Sequence, residues 1–183
     1  TELALNGVAA HAVASIFYKA LLFMSVGAVL FRTGSSKASE IGGLYKSMPW
    51  TAAFCLVGAA SISAVPLFSG FVTKSLIISA SAYEGYWLAW GLLLFASAGV
   101  VLHTSIKIPY LAFFSRDRGL RPQEAPLNML LAMGGTAAFC IGVGVWPAPL
   151  YALLPFDVDY APYTTAHVIT QLQLLMFSAL AFT

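Results

Sequence analysis

The sequence predicts an all-α fold: a polytopic integral membrane helix bundle of about five spans, the second of them discontinuous. Three observations predict it. Of the 183 residues, 60% are hydrophobic and 9% are charged, whereas soluble domains carry about 25% charged residues. Apolar stretches long enough to cross a hydrocarbon core of about 30 Å recur along the chain. Between them, basic residues fall in alternate connections, as antiparallel spans obeying the positive-inside rule require.

Span one is expected at 5–31. It carries His11, Ser15 and Lys19, spaced by four, and residues at that spacing share one helix face. A polar stripe on an apolar transmembrane helix is expected to face the bundle or a water-filled path. Histidine and a desolvated lysine can each take up and release a proton near neutrality.

Span two, expected at 50–82, contains no acid and one base, Lys74. A straight helix of that length would reach roughly 50 Å. Pro66 removes a backbone donor and clashes with the preceding turn, and Ser69 and Gly70 follow closely. The expectation is two half-helices separated by an unwound segment at 64–70. Broken helices at the membrane midplane commonly build ion-coupling sites. Lys74 lies one turn beyond the break, where an ammonium is costly and usually functional. Carbonyls ending the first half favour a cation there and amides starting the second oppose it. Such a lysine is poised for proton exchange.

Span three is expected at 86–114, with Trp87 and Trp90 at one end as an aromatic belt. His103 and Lys107 lie four apart near its other end, with Pro109 just beyond. Span four, expected at 127–154, has no ionisable residue in its apolar body. Its Gly134, Gly135, Gly142 and Gly144 suit close helix packing. Span five is expected at 164–183, with His167, Gln171 and Gln173. Loops 32–49 and 115–126 hold Arg32, Lys37 and Lys46, and Arg116, Arg118 and Arg121, so both are expected to be cytoplasmic. The remaining bases, Lys19, Lys74 and Lys107, lie within spans, and every acid lies in a loop or at a span end. The membrane interior is therefore basic and has no carboxylate of its own.

Cys55 and Cys140 have neither metal-ligand spacing nor a pairing pattern, and are expected to be buried and inert. A net charge of +2 does not suggest nucleic acid. No metal-ligand cluster, phosphate-binding glycine loop or nucleophile–base pair is evident, so neither a cofactor nor catalytic residues are expected. The chain opens with Thr and closes within an apolar run. It is expected to be a single transmembrane domain, 1–183, from the C-terminal part of a larger subunit.

Three segments then add up: HAVASIFYKALLF from His11, IGGLYKSMP from Ile41, and PLFSGFVTK from Pro66. In that order and spacing they resemble the proton-conducting antiporter-like membrane subunits. These are the large membrane subunits of respiratory complex I and the A and D subunits of Mrp-type multisubunit cation/proton antiporters. IKIPYLAFF from Ile106 and YAPYTTAHVITQLQLL from Tyr160 resemble the Mrp D type more than complex I. The resemblance implies two inverted repeats, each with a broken helix and a central lysine, of which this chain would supply most of the second. It implies that Lys74 is the broken-helix lysine, Lys19 a relay lysine and His11 a relay histidine. Many members carry a second histidine where this chain has Ser15.

The expected function is proton translocation along waters joining His11, Ser15, Lys19 and Lys74, with His103 and Lys107 leading to the cytoplasmic side. The resemblance implies the cell's inner (plasma) membrane, other subunits of a multisubunit complex as partners, and protons with Na+ or another monovalent cation as cargo. One alternative is a proton-pumping subunit of complex I or of a membrane hydrogenase. Another, of a different class, is a structural membrane scaffold.

Overall fold

The computed structural model describes residues 1–35 and 37–181. Ser36, in the first basic loop, and Phe182 and Thr183, the end of the expected fifth span, lie outside the described residues. All regular structure among the described residues is helical, as the composition predicts.

Helix α1 is Glu2–Thr33, α2 Pro49–Ile62 and α3 Ser69–Tyr83. Helix α4 runs Trp87–Phe114, α5 Leu127–Val145, α6 Ala148–Tyr151 and α7 Thr165–Leu180. Of these, α1, α4 and α5 are long and apolar enough to cross a membrane. Helices α2 and α3 together make the discontinuous second span, and α7 is a shorter apolar helix. Helix α1 has Glu2 in its first turn and Arg32 in its last, each matched to the partial charge of that helix end.

Helix α1 lies along both halves of the broken span and along α5. Its buried face is Ala10, Ala14, Tyr18, Leu21, Leu22, Ala28 and Val29. Small residues at these crossings let the backbones approach, which is how helices bind one another when lipid is as apolar as their side chains. Phe23, Leu88 and Phe95 point outward, as lipid-facing positions should.

The two ends of the bundle are tied by polar contacts. At one end, Lys46 Nζ and Arg121 Nη2 lie 3.0 and 2.7 Å from the Asp117 carboxylate. Arg32 Nε donates to the Glu124 carbonyl at 2.9 Å. The Glu124 carboxylate accepts from Trp50 N–H at 2.8 Å and Thr51 Oγ1–H at 2.6 Å, capping the first turn of α2. Both basic loops therefore lie at the same end. Hydrogen bonds from Arg121, the Gly119 amide and Lys46 hold the Asp117 carboxyl well below its usual range. A depressed carboxylate stabilises the fold above its unfolded value and is lost as pH falls through the folded one. The Asp117 contacts are thus complete at neutral pH and are lost as pH falls through the lowered folded-state value. At the opposite end, Asn6 Nδ2 donates to the Phe156 carbonyl at 2.8 Å and Ser79 pairs with Tyr160 at 2.9 Å.

Two expectations need correction, the end of the fourth span and the edges of the break. The fourth span ends at Val145, not at 154. Pro147 cannot continue the helix and pushes Trp146 out of the helical region (φ −130°, ψ 84°), so the apolar tail folds into the separate turn α6. The third span begins and ends nearly as expected but is not uniformly α. Val101–Ile106 and Tyr110–Phe114 are π-helical, flanking Pro109, whose missing N–H disrupts the regular ladder. The break in span two is displaced as well. The chain unwinds over 63–68, and Ser69 and Gly70 already belong to the first turn of α3.

Candidate functional site: the break between α2 and α3

Helix α2 stops in a specific way. Val65 N–H reaches back to the Ala60 carbonyl at 3.0 Å and Ala64 N–H to the Ser61 carbonyl at 3.1 Å. These are the two bonds of a Schellman stop. Its left-handed residue is normally glycine. Here it is Ala64, at φ 60°, and Leu67 follows at φ 75°. Two non-glycine residues in that region cost of order 1–3 kcal/mol each and persist where surrounding contacts overdetermine them.

The stop leaves two carbonyls to satisfy, and the fold supplies both partners. Lys74 Nζ donates to the Ile62 carbonyl at 2.5 Å. Gln171 Nε2, from α7, donates to the Ser63 carbonyl at 3.1 Å. Each backbone acceptor from Ala59 to Ser63 thus has a donor, Ser63 N–H serving Ala59. Ser61 and Ser69 hydroxyls, 2.8 Å apart, join the two halves directly. Lys74 is therefore held in the bundle as the capping cation of a helix C-terminus, where the carbonyl dipoles are most negative.

Two close approaches make this geometry possible. A Cβ on Gly70 would collide with the Ser61 carbonyl, and a Cβ on Gly144 with the Leu67 carbonyl and Phe68 backbone. Gly70 is required for the second half-helix to start across the end of the first. Gly144 brings α5 against the unwound link, where Tyr163 also donates its hydroxyl to the Gly144 carbonyl.

His11 joins the site from α1. Its Nδ1 lies 3.1 Å from Thr73 Oγ1, and Thr73 Oγ1–H is committed to the Ser69 carbonyl at 3.0 Å. The threonine hydroxyl must then accept, so Nδ1 carries the proton. Nε2 faces the Tyr18 hydroxyl at 3.3 Å and accepts from it when the ring is neutral. His11 and Lys74 line one cavity of about 180 Å³ with Ile77, Ile78 and Ser97, room for several waters.

The other expected residues are placed differently. Ser15 turns its hydroxyl onto its own helix, donating to the Ala12 carbonyl at 2.9 Å. Lys19 is exposed on this chain and lines a separate cavity of about 490 Å³ with Phe23, Ile62, Thr104 and Ile108. That cavity reaches the break at Ile62, whose carbonyl holds Lys74. His103 and Lys107 are exposed and line neither cavity; Thr104, between them, lines the Lys19 cavity. Cys55 and Cys140 are buried free thiols. Sequence reasoning did not assign Tyr18 and Thr73 to the site, nor the contact of Gln171. Tyr18 was accessible to it: seven residues from His11 is two helical turns and the same face.

Gln171→Leu removes the donor to the buried Ser63 carbonyl. An unsatisfied buried acceptor costs about 1–3 kcal/mol. The expected result is a lower thermal midpoint for the purified complex with the subunit still present, read by thermal unfolding in detergent.

Residues 1–106 match the family model described as NADH:quinone oxidoreductase/Mrp antiporter, transmembrane. Hydrogenase-4 component B of Escherichia coli is 30% identical over 81% of this chain and 24% of its own length. NADH-ubiquinone oxidoreductase chain 5 of Triticum aestivum is 30% identical over 92% of this chain and 28% of its own. The chain thus spans about a quarter of the length of these relatives. A chain of the membrane-bound sulfane sulfur reductase, an archaeal respiratory membrane complex, shares the fold, with a TM-score of 0.79 over the whole of this chain and 33% of that one, at 24% identity. With more than half of its length matched by the family model, this multi-pass membrane chain belongs to the NADH:quinone oxidoreductase/Mrp antiporter transmembrane family.

Proposed function

We propose that this chain is the C-terminal part of a proton-translocating membrane subunit and that Lys74 is its central proton carrier. The observation that carries the reading is the placement of Lys74. It caps a broken helix, shares a cavity with a histidine, and has no intramembrane carboxylate from this chain to hold it permanently charged. A proton reaching the cavity passes between water, His11 and Lys74. Release from Lys74 weakens its bond to the Ile62 carbonyl, and uptake restores it. Lys19 feeds the same break from its own cavity at Ile62, and Thr104 extends that route toward Lys107 and His103.

The segments around Ile106 and Tyr160 favour a D-type subunit of a multisubunit monovalent cation/proton antiporter. A second reading is favoured by the relatives themselves, hydrogenase-4 component B and chain 5 of NADH-ubiquinone oxidoreductase. In it, redox chemistry in other subunits drives the same path. The identity of the neighbouring genes separates the two: small antiporter subunits, or oxidoreductase subunits. The proton reading itself is tested by pH-gradient formation in vesicles, where loss on replacing Lys74 with assembly intact supports it.

Loops 32–49 and 115–126 face the cytoplasm of the plasma membrane in this account. Lys37→Cys and Gly119→Cys, both at exposed positions, should resist a membrane-impermeant thiol reagent applied outside intact cells. Labelling of either from outside reverses the orientation.

A further inference from the structure

A second chamber lies farther along the junction of α3 and α4, next to the cavity of His11 and Lys74. It has a volume of about 290 Å³ and is lined by Ser79 of α3, by Trp90 of α4, and by Thr164, His167, Thr170 and Gln171 of α7 and its cap. Five of its ten lining residues, Ser79, Thr164, His167, Thr170 and Gln171, are polar or titratable, and the other five are apolar. Polar and titratable groups on membrane helices face the bundle interior or a water-filled cavity. The chamber has two ends. At one, Gln171 is bonded to the Ser63 carbonyl, beside the carbonyl that holds Lys74. At the other, Thr164 caps α7 directly after the Pro155–Tyr163 loop, and Ser79 is bonded to Tyr160 of that loop. Thr164 and Gln171 are seven positions apart, about 10 Å along the helix. His167 stands between them, its ring edge-on to Phe71 with centroids 5.4 Å apart.

Ile78 lines both this chamber and the cavity of His11 and Lys74. An apolar side chain between two polar compartments interrupts a water wire, and hydrophobic constrictions gate by dewetting.

We propose that the chamber around His167 is the outlet of the proton path, opening toward the Pro155–Tyr163 loop, with Ile78 the apolar septum that keeps it apart from the Lys74 cavity. The inference rests on Lys74 being the proton carrier. A proton released from Lys74 crosses the septum when water bridges it. His167 accepts it, and it leaves past Thr164 to the loop. The septum makes transfer conditional, which a coupled transporter needs: a permanently continuous wire would dissipate the gradient.

The test uses inverted membrane vesicles carrying the whole complex, with subunit amounts checked by blotting. Ile78→Ala should speed the passive collapse of an imposed pH gradient several-fold without driving substrate, and adding Lys74→Ala should remove that leak. His167→Leu should lower coupled transport by about tenfold or more, as loss of a positioned proton acceptor does. His167→Glu should restore part of it, which a packing role would not allow. Should Ile78→Ala fail to accumulate, Ile78→Ser carries the same expectation. Tight vesicles with Ile78→Ala and full transport with His167→Leu, alongside an inactive Lys74→Ala, overturn the outlet and leave the Lys74 reading standing. Wild-type transport by Lys74→Ala overturns both.

Discussion

Gly70→Ala is expected to deplete the membrane of assembled subunit. The added Cβ would occupy the position of the Ser61 carbonyl oxygen. That oxygen cannot yield, because it accepts from Ala64 N–H in the stop that ends α2. Moving α3 away instead breaks the buried Ser61–Ser69 bond. Overpacking alone costs typically 1–3 kcal/mol, and about as much again follows from each buried polar group left unpaired. Gly144→Ala strikes the same link from α5, against the Leu67 carbonyl, and should behave alike. Gly135→Ala is the control: a Cβ there meets nothing within 4 Å. Blotting of membranes from each strain should give normal amounts for Gly135→Ala and strongly reduced amounts for the other two. Normal amounts for Gly70→Ala would mean the two half-helices do not meet as described.

The break was legible in the sequence because Pro66 and the length of the apolar run are incompatible with one straight helix. Its exact edge was not. Glycine announces a left-handed residue, but the chain places Ala64 and Leu67 there, and neither carries a local signal for positive φ. Those conformations are imposed by tertiary contacts, through Lys74, Gln171 and the bare backbone of Gly144. The π segments of α4 were hidden for a related reason. Pro109 announces a disturbance but not how the neighbouring turns absorb it. The end of the fourth span was readable at Pro147; the apolar residues beyond it masked the stop. At the site, the i, i+4 stripe was expected to face the bundle, and His11 meets Thr73 of α3. The same rule placed Ser15 and Lys19 with it, yet the serine hydroxyl satisfies itself on its own helix and Lys19 opens into a different cavity. Periodicity assigns a face; it does not say which neighbour fills it. The partner of Lys74 could not be read from side chains, since it is a backbone carbonyl freed by the break.

Lys74→Ala is expected to abolish proton-coupled transport while leaving the complex assembled. The ammonium is the titratable group that touches the break, and alanine leaves no titratable side chain between the His11 cavity and Ile62. Assembly should survive because Lys74 borders a cavity with room for water, and a water can take over the Ile62 carbonyl at little cost. The other ties across the break, Gln171 to Ser63 and Ser61 to Ser69, stay in place. Lys74→Glu should keep part of the activity, because a buried carboxyl can also carry a proton. Lys19→Ala should impair transport strongly but less completely, since it reaches the break from its own cavity. The decisive measurement is formation of a pH gradient by inverted vesicles of the Lys74→Ala strain, with every subunit quantified by blotting. The account predicts no gradient and wild-type subunit levels. Transport at the wild-type rate, or a loss explained by failed assembly, would make Lys74 a structural residue and contradict the central claim.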